Sequence, residues 1–444
     1  MKISNSISTK NIGQIALPIM VGGVAQNIVN VTDTAFLGNL GDIQVGAAGN
    51  AGILYFIFAI TGMGFTTGSQ IIIGRRNGEK NYNAIGRLLD QTIYFVIPLG
   101  ILMLLMFKFL APGLLHGVVE SKAIYEKATA FIDMRSWGIL FAFINFSFNA
   151  FYVGITRTRI LMLSTFIMSM TNVILDYGLI FGHFGLPKMG IEGAALASVI
   201  AEFAAMVFII FYTVNHKGNK VYELFRFEPP DLTLLKDILR TSVPIMFQNF
   251  ITLGSWFAFF AMIEWTGESE LAISHIVKSI YMVLTIPIFG LSIAANTLTS
   301  NLIGEGRSNE VLPTVWKIIG LSIAMIIPLS IISFIFSEQL ILLYTDNLSL
   351  VPDAIKTLWV INFSIIFFSV AFILFNGVTG TGKTVISMLI ECINITIYLG
   401  FTYALISYWK PEIYWVWCGE FVYFTFLGLM AWAYLKFGSW KVKI

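Results

Sequence analysis

Twelve long apolar stretches decide what this chain can become. Segments such as "TIYFVIPLGILMLLMFKFL" and "AALASVIAEFAAMVFIIFYTV" approach or exceed the roughly 20 residues a helix needs to cross ~30 Å of hydrocarbon. The stretches run over 14–38, 44–73, 90–112, 125–153, 160–182 and 191–214, then 238–263, 271–303, 314–336, 354–378, 384–408 and 413–435. Of the 444 residues only 12% are charged. An ordinary globular domain carries about 25%. The pattern predicts an all-α polytopic membrane protein of twelve transmembrane helices.

The polar gap 215–237, "NHKGNKVYELFRFEPPDLTLLKD", divides the stretches six and six. It reads as a cytoplasmic linker between an N-terminal lobe, 1–214, and a C-terminal lobe, 238–444. Basic residues collect in alternate gaps, among them Lys2, Lys10, Arg75, Arg76, Arg157, Arg159, Lys217, Arg307, Lys383 and Lys443. The positive-inside rule places those gaps and both termini in the cytoplasm of a multi-pass protein of the cell membrane. The N-terminal residues carry no cleavable-signal pattern. The two cysteines, Cys392 and Cys418, both fall inside apolar stretches and offer no disulfide framework.

A shift of 226 residues lays "LPIM" (17–20) on "VPIM" (243–246), Gly41 on Gly267, and Gly154 and Arg157 on Gly380 and Lys383. With a four-residue adjustment, "IIIGRRNGEKN" near 71 falls on "NLIGEGRSNE" near 301. Six spans per half make these parallel repeats, related by a pseudo-two-fold axis along the membrane normal, with substrate expected between the halves.

The repeat also disposes of a nucleotide motif. "GVTGTGKT" (377–384) fits the phosphate-loop pattern G-x-x-x-x-G-K-[ST]. Its counterpart in the first half, "YVGITRTR", keeps no such pattern, and its flanks are apolar spans rather than one strand and one soluble helix. The motif reads as a helix-to-helix turn and ATP is not an expected partner.

Ionisable groups within spans are functional candidates because they are costly there, roughly 2.5 to 3.5 kcal/mol at mid-bilayer on insertion scales. Gln26, Asn30 and Asp33 recur at i, i+4 and i+7 on the first span and share a face. Asn172 and Asp176 share a face of the fifth, and Asn149 and Ser198 stand on the fourth and sixth. Two carboxylates with amide and hydroxyl oxygens suit a proton or a small hard cation such as Na⁺. The equivalent positions of the second half are Phe259 and Thr402, so the site is asymmetric. That half offers Glu391, Glu264 and Lys278 as substrate or ion contacts. Pro18, fifteen residues before Asp33, is a candidate hinge.

With "LPIMVGGVAQNIVNVTDTAFLGNLG" in the first span, "NVILDYGLIFG" in the fifth and the matching repeat, the chain resembles the multidrug and toxic compound extrusion (MATE) family over nearly its whole length. The resemblance implies two six-helix lobes, alternating access, and export of organic, often cationic compounds against inward H⁺ or Na⁺. It assigns the cation-responsive role to Asp33 and Asp176, with Asn149, Asn172 and Ser198 beside them. Acids that some members carry in the seventh and tenth spans are missing here.

The leading expectation is a secondary antiporter with no cofactor and no enzymatic activity, monomeric, with organic solutes and lipid as partners and no nucleic acid. A flippase of lipid-linked saccharides shares the architecture but is expected to have a more basic cavity. A porter of the other large twelve-span class would divide each half into inverted three-span repeats. A membrane-embedded lipid enzyme would need clustered catalytic groups, and the four histidines at 116, 183, 216 and 275 are scattered.

Overall fold

Peptide groups in hydrocarbon have no water to bond, so a spanning segment of this composition closes its own hydrogen bonds as a helix. The computed structural model describes residues 7–409 and 411–441; Lys2 and Lys443 of the charge pattern lie outside them. Among the described residues there is no strand. The helices in chain order are α1 Thr9–Gly38, α2 Asp42–Gly78, α3 Tyr82–Phe109, α4 Ala111–Val118, α5 Lys122–Arg135, α6 Gly138–Gly154, α7 Arg159–Phe181 and α8 Ile191–Asn215. They continue with α9 Leu232–Glu264, α10 Glu268–Leu284, α11 Ile286–Gly304, α12 Val311–Ile335, α13 Ser337–Leu342, α14 Val351–Gly380, α15 Thr384–Trp409, α16 Ile413–Trp417 and α17 Gly419–Phe437. Eleven are long and apolar enough to span, counting Ile413–Phe437 as one, and the bent pair α5/α6 makes twelve.

Two expected spans are broken. The stretch 271–303 was expected as one helix; it divides at Thr285 into α10 and α11, because Pro287 brings no N–H and suits the start of a helix rather than its middle. The stretch 125–153 bends by 50° between Arg135 and Gly138. A Cβ at Gly138 would fall 2.2 Å from Arg135 Nη1 and 2.3 Å from Glu202 Oε2, so any side chain there would have to displace the Arg135–Glu202 pair.

The chain forms two compact units, Val21–Met246 and Met1–Met20 with Phe247–Ile444. In the first, α2 packs on α5 and α6, α3 on α6, and α8 on α6 and α7. The 215–237 segment is strapped along one face of α3. Asp90 Oδ2 accepts from Phe227 N (3.0 Å), Gln91 Oε1 from Asp231 N (3.1 Å), and Tyr94 OH donates to Glu228 O (3.1 Å), while Arg87 pairs with Asp231 at 3.0 Å. Positions 87, 90, 91 and 94 recur at helical spacing, so one stripe of α3 holds residues 227–231, while Asn219 bonds Tyr152 and Thr213 instead. In the second unit α14 is central and packs on α11, α12 and α17, with α15 against α17.

The 226-residue repeat is visible atom by atom. Asn81 N bonds Arg76 O at 2.9 Å and Arg307 N bonds Leu302 O at 2.8 Å; Lys80 and Gly306 take the same left-handed turn, φ 58° and 74°. Gly78 therefore pairs with Gly304 at helix ends, and the four-residue adjustment is corrected to none. Thr156 and Gly382 likewise share a positive φ, 61° and 78°. A Cβ on Gly154 would meet Ile73 Cγ2 at 2.7 Å, and one on Gly380 would meet Asn296 O at 2.3 Å. The phosphate-loop look-alike is the end of α14, a turn, and the start of α15, its last helical glycine serving close helix approach.

Gly380→Leu is accordingly expected to destabilise by about 2 kcal/mol or more, the scale of overpacking, whereas Gly320→Ala, with open space around it, is expected to be near neutral. Thermal unfolding in detergent checks both; equal midpoints for the two variants would remove the packing role of Gly380.

Candidate functional site

Within the Val21–Met246 unit, α1, α2, α5, α7 and α8 surround a polar cavity of about 430 Å³. Five of the candidates from the sequence line it: Gln26, Asn30, Asp33, Asn172 and Ser198. Helical spacing does this on each element, since Gln26, Asn30 and Asp33 descend one face of α1 and Gln26 Nε2 donates to Asn30 Oδ1 at 3.4 Å. Asp176, one turn beyond Asn172 on α7, is fully buried and its carboxyl lies within reach of that of Asp33.

Neither oxygen of Asp176 finds a donor among the described residues, nor does Asp33 Oδ1. Carboxylates accept and do not donate. Two in contact stay together only with a proton shared between them or a cation bound, because like charges so close cannot both persist. Asn172 donates to Ser198 Oγ at 3.4 Å and leaves its own Oδ1 unpartnered. The arrangement is a set of oxygens with donors withheld, as a proton or a hard cation requires.

The opposite wall carries groups that the sequence did not mark as site residues. Arg135 clasps Glu202 with both arms, Nη1 to Oε2 at 2.8 Å and Nη2 to Oε1 at 2.6 Å. Its guanidinium carbon lies 3.8 Å from the centroid of the Tyr55 ring, and the Tyr55 hydroxyl stands 3.4 Å from both Glu202 oxygens. Asp133, two residues before Arg135, bonds Lys108. Ser198 and Glu202, at i and i+4, were the one available signal; Tyr55 gave none. In all, Asp33 and Glu202 line the cavity with one guanidinium, and Asp176 is buried beside Asp33, so the surroundings favour positive charge.

The remaining candidates lie elsewhere. Asn149 is exposed on α6 and does not line the cavity. Pro18 sits in α1 within the other unit. Glu391 is buried in that unit, Glu264 is exposed at the end of α9, and Lys278 lies over the Phe260 ring at 4.9 Å rather than against Glu264.

The repeat that places these residues is also what the family comparison recognises. The MatE family model matches residues 18–178 and again 244–404. The chain belongs to the MatE family. A relative named probable multidrug resistance protein NorM, from Thermotoga maritima, is 25% identical and aligns with 98% of this MatE chain and 93% of its own length. The probable multidrug resistance protein YoeA of Bacillus subtilis is 23% identical, covering 96% and 93%. Among solved structures, an outward-facing multidrug resistance MATE family transporter of the MOP superfamily superposes with a TM-score of 0.89 at 20% identity, covering 96% of this chain and 95% of that one. A MOP superfamily transporter from Pyrococcus furiosus, described by its reverse-polarity binding pocket, gives 0.88 at 20% identity, covering 98% and 97%. These likenesses establish the fold, an all-α membrane protein of twelve spans.

Breaking a buried ion pair leaves one charge uncompensated, at about 3 kcal/mol or more, whereas replacing both partners by apolar groups can be nearly neutral. Arg135→Met is therefore expected to lower the unfolding midpoint in detergent more than the double variant Arg135→Met/Glu202→Leu. A double variant less stable than the single one would contradict this account of the cavity wall.

Proposed function

We propose that this MatE protein is a secondary active exporter of organic compounds, many of them cationic, exchanged by alternating access for inward H⁺ or Na⁺. The observation that carries the reading is the Asp33–Asp176 pair, two carboxyls in reach of one another of which Asp33 Oδ1 and both Asp176 oxygens find no donor among the described residues. Asp33 and Asp176 hold the coupling proton or ion, Asn172 and Ser198 supply neighbouring oxygens, and Gln26 and Asn30 continue the polar wall toward the substrate. Asn149, exposed on α6, is retained only as a contact with solute on its way. The names of the multidrug relatives support the substrate class, and the excess of carboxylate in the cavity supports a cationic one.

In this reading the lobes are 1–214 and 238–444, linked by 215–237, and the chain is a monomer in the cell membrane with both termini in the cytoplasm. The ion gradient supplies the energy, with neither ATP nor a cofactor. Pro18 is the bend point of α1, since proline removes a backbone bond within the helix. Glu391, Glu264 and Lys278 are the corresponding contacts of the second half.

Reconstitution tests it. A fluorescent organic cation is followed in proteoliposomes under an imposed pH or Na⁺ gradient. One gradient is expected to accelerate transport at least tenfold, and Asp33→Asn, still folded and inserted, is expected to lose that acceleration. Undiminished coupling in Asp33→Asn would sink the assignment.

A further inference from the structure

The unit formed by Met1–Met20 and Phe247–Ile444 holds two buried acids of its own, Glu391 on α15 and Glu420 at the start of α17, 2% and 7% exposed. No ion pair compensates either of them among the described residues. Glu391 Oε1 accepts from Thr252 Oγ1 at 2.9 Å and from Tyr423 OH at 2.6 Å, while Oε2 is buried without a partner. One turn along α15, on the same face, Asn394 is wholly buried with both amide atoms unpartnered. Glu420 accepts from Tyr398 OH at 3.0 Å, and the Tyr398 and Tyr423 rings touch, centroids 5.3 Å apart. Each acid thus has its own tyrosine donor, and the two tyrosines pack ring on ring.

The place of this network in the repeat is as informative as its bonds. Stepping back 226 residues takes Thr252 to Gln26, Asn394 to Met168, Tyr398 to Asn172 and Glu420 to Ala194. All four of those residues line the cavity of the other unit. Where that unit has Asp33 and Asp176, this one has Phe259 and Thr402, and the Phe259 ring closes on Tyr398 at 5.6 Å. Glu420 stands at a cavity-lining register, whereas Glu391 maps to Thr165, outside that lining but three residues from Met168, which belongs to it.

We propose that Glu391, held by Thr252 and Tyr423, is a second proton-exchange site, lodged in the second repeat. The proposal deepens the exchanger reading and rests on it only for what the proton would drive. A divalent metal cation fits less well. The carboxylate oxygen left free is one, its neighbour Asn394 adds one carbonyl, and hard divalent cations take six or more oxygens; no cluster of three or more His, Cys, Asp or Glu occurs among the described residues. No cation competes for the proton from the surrounding elements. α17 presents Tyr423 and Glu420, α15 presents Tyr398, and α10 presents Tyr281 toward Glu420. Lys278 of α10 lies on the Phe260 ring, the charged residues of α14, Asp353 and Lys356, bond each other at 3.0 Å, Glu264 at the end of α9 is exposed, and α16 has no charge.

The test is an infrared titration of the full chain in lipid, following the C=O stretch of protonated carboxyls from acid to alkaline pH. Wild type and Asp33→Asn are expected to share one carboxylic band that vanishes as pH rises, and Glu391→Gln is expected to lose that band. Thr252→Val and Tyr423→Phe are expected to shift its frequency, because both donate to this carboxyl; a structural role alone would leave it in place. Should Glu391→Gln fail to fold, Glu391→Asp keeps the carboxyl and moves the band. A band absent from the wild-type-minus-variant difference at every pH overturns the proposal, and so does one present and unchanged throughout. A band altered by Na⁺ at fixed pH replaces the proton with a metal ion and also overturns it. The band is read without transport, so its failure and the failure of the exchanger reading are separate results.

Discussion

In hydrocarbon an unsatisfied peptide group costs several kcal/mol, so the backbone of this chain is committed to helices before any side chain is considered. Polar side chains then divide by whether they can donate. Many buried hydroxyls close onto their own helix, as Thr92 donates to Leu88 O, Ser147 to Phe143 O and Thr213 to Ile209 O, although Ser169, Ser292, Ser330, Ser333 and Thr402 find no partner among the described residues. Some amides do the same, as Asn301 does to Thr297 O. A carboxylate has nothing to donate, so it needs a partner on another helix or a ligand. Asp176 has neither among the described residues, and Glu391 is satisfied on one oxygen only. These acids cannot be explained as parts of helix packing, which is why function is assigned to them rather than to the many buried serines and threonines.

The repeat organises where such groups can stand. The two compact units part at Met20 and Val21 and again at Met246 and Phe247, the same register 226 residues on. Pro18 and Pro244 each precede that junction by two residues, inside α1 and α9. A helix that lacks one rung of its ladder bends there more readily than elsewhere. Each of these helices therefore carries its weak point where it leaves one unit for the other, and this gives the proposed hinge at Pro18 a counterpart in the second half.

Much of this was legible in the residues. The apolar stretches marked twelve spans, and the i, i+4, i+7 spacing of Gln26, Asn30 and Asp33 marked a cavity wall. What depended on rotation and on distant partners was hidden. Asn149 is polar in an apolar run, yet α6 turns it outward, and nothing in its neighbours Asn145 and Ser147 distinguishes the faces. Arg135 and Glu202 are 67 residues apart, and Tyr55 and Glu202 are 147 apart, separations at which no spacing rule operates. The mistaken four-residue adjustment came from matching letters, Gly74 with Gly304, where the left-handed turn at Lys80 and Gly306 holds the true register.

The two units use one plan to different ends, and the ion pair shows how. In the repeat, Arg135 corresponds to Ile361 and Glu202 to Gly428. Ile361 is fully buried, and a Cβ at Gly428 would meet Ala371 Cα at 3.3 Å, so close packing fills the place where the first unit keeps a charged wall and a cavity. Packing of that kind excludes water and leaves hydroxyls as the only polar neighbours an acid can have. At this register the first unit bends between Arg135 and Gly138, where the guanidinium turns to Glu202, whereas α14 runs unbroken through Ile361. A charged pair needs room and a bend, and an aliphatic residue at the same register needs neither. Asp33 therefore lines a polar cavity with Asp176 buried beside it, while Glu391 and Glu420 are buried among packed side chains.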